Sequence, residues 1–315
     1  MSSDLKSLPG VGKELARKLV NGGYPTIESI IVSPPREISE NTGIGFNTVL
    51  KIQNAAREAF NVGFKTALEF YERRRQMLRC TTGSERLDEM LGGGVETQAL
   101  TELIGEYGTG KTQLCMMLAV TAQLPPEKGG LGGNVAFIDT EGTFMPERIY
   151  QIAEARSLPE KVTNNILVAR AYNSSHQCLL IDHLFTVVPE NGVKLVVVES
   201  VIGYFRGEYI GRDSLTERQR KMNVYLHKLI RLSEAYNVAV VVTNQVQANS
   251  VQFFGNPPHP AGGHIMAYAC THSVMLRRGK DGTRVVRVID SPYLPDVPAI
   301  FIITEKGIED VPEKK

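Results

Sequence analysis

The sequence predicts an α/β protein, a largely parallel sheet covered by helices on both faces, preceded by a small all-α module. Three observations carry this. From about residue 80 onward, apolar strand-like runs alternate with helical patterns, the signature of a parallel sheet wound through helices. GEYGTGKT, residues 105–112, falls between one such strand and a helix, the setting that a phosphate-binding loop requires. Residues 1–61 instead hold two Gly-x-Gly turns, each opening an amphipathic helical pattern.

In the first turn, LPGVGKELARKLV, Leu8, Val11, Leu15 and Leu19 share one face. Gly10 and Gly12 permit a tight turn with exposed amides at a helix start. NTGIGFNTVLKIQNAAREAF repeats the design, with Gly43, Ile44 and Gly45 ahead of a helix through Val49, Ile52 and Ala56. The pair resembles a helix-hairpin-helix module, which grips the DNA backbone without reading bases; a helical packing domain without ligand has the same pattern. Residues 62–79 form a connecting segment containing Phe64 and Ala67 as F-x-x-A. On physics alone, an apolar pair docking on its own core accounts for it.

The 315 residues are 42% hydrophobic and 22% charged, the balance of a globular chain with a sizeable core, here placed in residues 80–315. The net charge of +1 gives no global field for nucleic acid. Any such binding falls to local clusters: Arg73 to Arg75, Arg206 to Lys221, and Arg277, Arg278 and Lys280, each of which is also an ordinary solvated face. Cys80, Cys115, Cys178 and Cys270 form no C-x-x-C pair and read as structural thiols. No apolar run approaches a membrane span and the first residues lack a signal peptide's regions, so the expected location is the cytoplasm, with no membrane partner.

Strands are expected near residues 99–104, 134–139, 164–170, 194–199 and 238–243, followed by three without intervening helices, SVMLRR, RVVRVID and AIFIIT, as an antiparallel extension. In such sheets ligands gather at the carboxyl ends of the strands. Gly105, Glu106, Tyr107, Gly108, Thr109, Gly110, Lys111 and Thr112 match G-x-x-x-x-G-K-[ST]. Their backbone amides would cradle the phosphates of ATP, with Gln113 beside them; Lys111 would reach the terminal phosphates, and the Thr112 hydroxyl would ligate Mg2+. FIDTEG offers Asp139 and Glu141, the latter placed to deprotonate an attacking water. KLVVVES brings Glu199 towards the metal, and VVVTNQ ends in Asn244 and Gln245, placed to sense the terminal phosphate. Three polar strand ends beside such a loop exceed what sheet capping requires.

GSERLDEMLGGGVETQALTELIGEYGTGKTQLC, LPPEKGGL, FIDTEGTF with PERI, YFRGEYIGR, VTNQVQA, GGHIMA and DSPYLPDVPAIFIITEKGIED closely resemble the RadA/RecA recombinase family across nearly the whole chain. The resemblance implies a RecA-like ATPase core and a DNA-dependent ATPase that assembles with itself, as a ring or helical filament, on single-stranded DNA. There it pairs that strand with homologous duplex in recombinational repair. Phe64 and Ala67 would dock into the next subunit, and Gln245 and His264 would report the terminal phosphate to the DNA loops. Arg148 would lie against the adenine, while Asp290, Ser291 and Pro292 would cap a neighbour's nucleotide, with a potassium ion near Asp290 left open. One DNA loop would run from Tyr209 to Arg218 through Arg212, the other from Asn249 to Gly262 and Gly263.

The residues agree with these loops. Ser214-Leu-Thr-Glu217 is a capping-box pattern that ends the first, before a helix with Met222, Leu226, Leu229 and Ile230 on its apolar face. The second is rich in Gly and Pro and carries Phe253 and Phe254, either base-stacking rings or a local anchor. Four positions depart from the family pattern: Glu199 for Asp, Met145 for Arg, Asn249 with Ser250 for Arg-Pro, and His259 for Arg. Two cationic contacts in the second loop are thereby weakened or lost. Glu199 admits either adequate metal binding through water or slow turnover. A paralogue that binds ATP and DNA and regulates recombinase filaments, or another oligomeric ATPase of this fold, are the alternative readings.

Overall fold

The computed structural model describes residues 5–60, 62–211, 213–247 and 259–312. The N-terminal helices are α1 (Lys13–Asn21), α2 (Ile27–Val32), α3 (Pro35–Thr42) and α4 (Phe46–Ala59). They close on Leu8, Val11, Leu19, Ile30, Ile38, Val49 and Ile52; Leu15, expected in this stripe, is half-buried. Burial of the Gln53 amide is made tolerable by its hydrogen bonds to Ile30 O (2.8 Å) and Ser33 O (2.7 Å), carbonyls that the end of α2 leaves unpaired. Gly10 and Gly43 hold the left-handed φ values of +82° and +66° that the two turns need. Gly12 and Gly45 cap α1 and α4 without any side-chain cap, and space beside them is open. Both turns therefore present helix-start amides outward.

The connecting segment carries α5 (Ala67–Arg75), started by a Thr66/Glu69 capping box. No residue of α5 is buried, and Phe64 is fully exposed (112%). The docking of this apolar pair on its own core, adequate as a sequence reading, does not occur.

The core begins with β1 (Arg79–Cys80), α6 (Glu85–Met90), β2 (Val95–Glu96), β3 (Ala99–Ile104), α7 (Lys111–Thr121), β4 (Asn134–Asp139), α8 (Pro146–Ala155) and β5 (Ile166–Arg170). It continues through α9 (Ser174–Glu190), β6 (Val193–Glu199), α10 (Gly203–Glu208), α11 (Leu215–Tyr236), β7 (Ala239–Asn244), β8 (Val246–Gln247) and β9 (His259–Pro260). It ends with α12 (His264–Ala269), β10 (His272–Arg278), β11 (Arg284–Asp290), β12 (Ala299–Thr304) and β13 (Gly307–Asp310). Nine strands form one sheet in the order β13-β12-β11-β10-β3-β7-β6-β4-β5. The run from β10 to β5 is parallel, and β10 to β13 is the antiparallel extension expected. β5 starts two residues later than expected because residues 163–165 turn, with Ile166 N donating to Thr163 O.

Both faces of the sheet are covered. Along β6, Leu195 and Val197 join the core under α7, while Val196 and Val198 join the core under α11, as the two-residue period of a strand requires. Cys80, Cys115 and Cys270 are buried, and burial pushes the Cys80 thiol up to about 12, as inert packing groups. Among the described residues no helix is long and apolar enough to cross a membrane.

The N-terminal helices rest on α11. The Glu37 carboxylate accepts from Arg231 at 3.1 Å and lies 3.9 Å from Lys228. Thr26 Oγ1 donates to the Tyr236 hydroxyl, which donates to Phe185 O at 3.0 Å.

Candidate active site

Every residue of β3 is buried, so the chain leaves the sheet at Gly105 with no room to spare. A Cβ on Gly105 would lie 2.6 Å from both Leu276 O and Thr109 Oγ1. Gly108 and Gly110 take left-handed φ values of +73° and +102°, closing the loop directly onto the start of α7. Thr109 is buried and its hydroxyl donates to Glu106 O, while Tyr107 is exposed. Gly110 caps α7 without a side chain, leaving the helix-start amides for an anion. The Lys111 ammonium donates to Gly105 O (2.8 Å) and Glu106 O (2.9 Å). Burial lowers its pKa, opposed by the charges of Glu199 and Glu141.

Glu199 ends β6 beside this loop. Its Oε1 accepts a short hydrogen bond from the Thr112 hydroxyl, and its Oε2 is buried without a partner among the described residues. Burial, against the Thr112 hydrogen bond and reinforced by Glu141 and Asp139, raises its pKa to about 7. An acid so placed is stabilised by a cation, and the unpartnered oxygen beside a hydroxyl suits the oxygen-seeking Mg2+. The Glu199 side chain is long enough to reach the Thr112 hydroxyl directly.

Asp139 serves the backbone instead. Its Oδ1 accepts from the amides of Glu141 (3.0 Å), Gly142 (2.7 Å) and Thr143 (3.3 Å) and pairs with Arg170 at 3.0 Å. That fixed turn presents Glu141, exposed at the end of β4, where Gln245 Nε2 donates to its Oε1 at 3.1 Å. Asn244 does not face the phosphates as expected. It is wholly buried, and its amide donates to Glu102 (2.7 Å) and Ala261 O (2.6 Å).

Arg148 is committed to protein: it donates to Gln113 Oε1 at 2.8 Å and to Thr304 O at 2.5 Å, bracing α8 against α7 and the β12 end. Arg278, read from the sequence only as part of a surface cluster, sits over the phosphate loop. It donates to Tyr107 O at 3.3 Å, with its guanidinium where a Gly108 side chain would be. No local pattern could have signalled this, because β10 and the loop meet only through sheet pairing.

His264 is exposed and stacks on Tyr268. The capping-box expectation at Ser214 fails: its hydroxyl donates back to Ile210 O (2.9 Å) and Gly211 O (3.2 Å), and Glu217 pairs with Lys221 (3.2 Å). α11 nevertheless starts at Leu215. Tyr209 turns inward, stacking on Phe205 and accepting from Lys221; Arg218 is half-buried. Gly262 and Gly263, with φ of +93° and +59°, open α12. Arg212, Asn249, Ser250, Phe253 and Phe254 lie outside the described residues. Asp290 and Pro292 are exposed, with Ser291 between them half-buried.

A family model described as Rad51 matches residues 73–311. The chain belongs to the Rad51 family. Ahead of the Rad51 region, residues 2–58 match a model described as a SAM-like helix-hairpin-helix tandem. The Rad51-family chain is 48% identical over 308 residues to the DNA repair and recombination protein RadA of Aeropyrum pernix, spanning 98% of this chain and 97% of that relative. This Rad51-family core thus has the sheet expected of a RecA-like ATPase, with its polar strand ends gathered at the phosphate loop.

Proposed function

We propose that this Rad51-family chain is an ATP-dependent DNA recombinase. It assembles on single-stranded DNA, pairs that strand with homologous duplex, and hydrolyses ATP to turn the assembly over. The observation that carries the reading is the convergence of two pairs at one sheet end: Thr112 with Glu199, and Gln245 with Glu141.

The loop amides and Lys111 bind the phosphates, and Lys111 exchanges its two carbonyl partners for phosphate oxygens. Thr112 and Glu199 would hold Mg2+, which when bound offsets the charge of the transferring phosphoryl group. Glu141, oriented by Gln245, takes a proton from water as the water oxygen bonds to the terminal phosphorus and the bond to ADP breaks. Arg278 adds positive charge at the loop, and Arg148, held in place by Gln113 and Thr304, would line the adenine side.

DNA is held by backbone contacts at the two open glycine turns of residues 1–61 and by the loops at 209–218 and 249–262. Phe64 and Ala67 of the segment 62–79 dock on a second copy, whose nucleotide is capped by Asp290, Ser291 and Pro292. The exposure of Phe64, Leu68, Phe70 and Tyr71 supports this, because an apolar surface that its own chain leaves bare is suited to a partner.

The test is the ATP hydrolysis rate of the full chain with and without single-stranded DNA, alongside exchange of a labelled strand. DNA-stimulated turnover with exchange is expected. Nucleotide and DNA binding without exchange by the pure protein would sink the reading and favour a regulatory paralogue.

A further inference from the structure

The buried carboxylate of Glu96 lies outside the phosphate site. Glu96 in β2 is 2% exposed and gathers four side chains from separate parts of the chain. Arg74, in the last turn of α5, donates to it at 3.2 Å, and Arg79 lies 3.6 Å away. His272 Nε2 lies at 3.0 Å, and the Tyr293 hydroxyl donates at 2.9 Å. Burial alone would raise this carboxyl, but the hydrogen bonds from His272 and Tyr293 and the charge of Arg74 outweigh it and hold it at about 2.

The cluster extends to the capping segment. Ser291 Oγ lies 3.0 Å from His272 Nδ1 and accepts from the amides of Tyr293 (3.3 Å) and Leu294 (3.0 Å). With both its lone pairs so used, the hydroxyl proton points to His272, whose other nitrogen serves Glu96. Arg74 also lies over the Tyr293 ring, 5.3 Å from its centre, and His272 meets that ring edge-on at 5.5 Å.

Among the described residues, Arg74 is the side chain of α5 that hydrogen-bonds to the core, and α5 buries nothing. The direction of that helix, and of Phe64 ahead of it, is therefore set at its Arg74 end. Arg74 lies seven positions after Ala67, roughly 10 Å along the helix. The same carboxylate sets the course of residues 291–294. The exposed helix α5, with Phe64 ahead of it, and the segment after β11 are thus joined through one group.

We infer that Glu96 is a positioning residue that couples the docking of α5 on a neighbouring copy to the placing of Asp290, Ser291 and Pro292 against that same copy's nucleotide. This rests on the shared nucleotide site proposed above. One docking event then delivers both elements, and Arg74 with Tyr293 carries the coupling between them.

Removing Glu96 itself would leave two arginines unpaired and endanger the fold, so the test uses Arg74→Ala and Tyr293→Phe. Equilibrium affinity for a non-hydrolysable ATP analogue is measured in the assembled full chain and in a Phe64→Glu background, with assembly followed by sedimentation. Each substitution should weaken analogue binding by about fivefold or more in the assembled protein, the lower end of typical site-to-site couplings. In the Phe64→Glu background the same substitutions should change affinity by less than about twofold, since no neighbour is present to cap. Unchanged affinity in the assembled protein, or equal losses in both backgrounds, would overturn the coupling. Equal affinity of wild type and Phe64→Glu, with assembly abolished in the latter, would instead overturn the shared site and the coupling with it.

Discussion

The Gln245 amide donates to Glu141 Oε1 at 3.1 Å, joining the end of β7 to the turn after β4. Between these strands in the sheet runs β6, which ends in Glu199. An acid aimed by an amide on one side and an acid shared with Thr112 on the other is the arrangement from which the following outcomes derive.

Replacing Glu141 by Gln removes the proton acceptor but keeps the size and a partner for Gln245. Hydrolysis should fall by about 10²–10⁴-fold, the usual worth of a positioned base, with ATP affinity almost unchanged. Single-turnover kinetics beside equilibrium binding would check this; a parallel loss of binding would mean that Glu141 holds the loop rather than the water.

Glu199→Ala removes the carboxylate whose Oε2 is buried and unpartnered. The Mg2+ concentration for half-maximal hydrolysis should rise by about tenfold or more, given how few protein groups hold this ion in such sites. A magnesium titration at saturating ATP measures it, and an unchanged midpoint would place the metal elsewhere.

Glu96 supplies a pH signature. Its carboxyl, held at about 2 in the folded protein, lies below the ordinary glutamate value of about 4.5, so its contribution to stability is present above about pH 4.5 and is lost as pH falls towards 2. Chemical denaturation from pH 7 to 3 should show wild type losing its advantage over Glu96→Gln across the acid half of that range. A difference between the two that is flat with pH would contradict the charged cluster.

Gly105→Ala sets a methyl group 2.6 Å from the backbone oxygen of Leu276. The sheet cannot yield there without breaking its pairing, so a loss of about 1–3 kcal/mol is expected, the usual cost of overpacking. Thermal unfolding with and without ATP should show a lowered midpoint and a smaller gain from nucleotide.

Much of this site was legible because its parts are local. The phosphate loop is a contiguous motif, and Glu141, Glu199 and Gln245 each close an apolar run that could only be a buried strand. What escaped was tertiary. Arg278 reaches the loop from a strand more than 150 residues downstream, and Asn244 turns under the sheet because Glu102 offers its amide a buried partner. Ser214 matched a capping pattern, yet the carbonyls of Ile210 and Gly211 compete for the same hydroxyl. Glu96 had no signal at all, since its four partners come from residues 74, 79, 272 and 293.

The docking of the N-terminal helices on α11 has a mechanical meaning. This helix spans 22 residues, about 33 Å. It begins where the chain leaves the segment 209–214 and ends at Tyr236, under Thr26 of the N-terminal module. A tilt of about 10° at one end moves the other by roughly 6 Å. The helix is thus a common mount, with the segment 209–214 seated at one end and the N-terminal module held through Thr26 at the other.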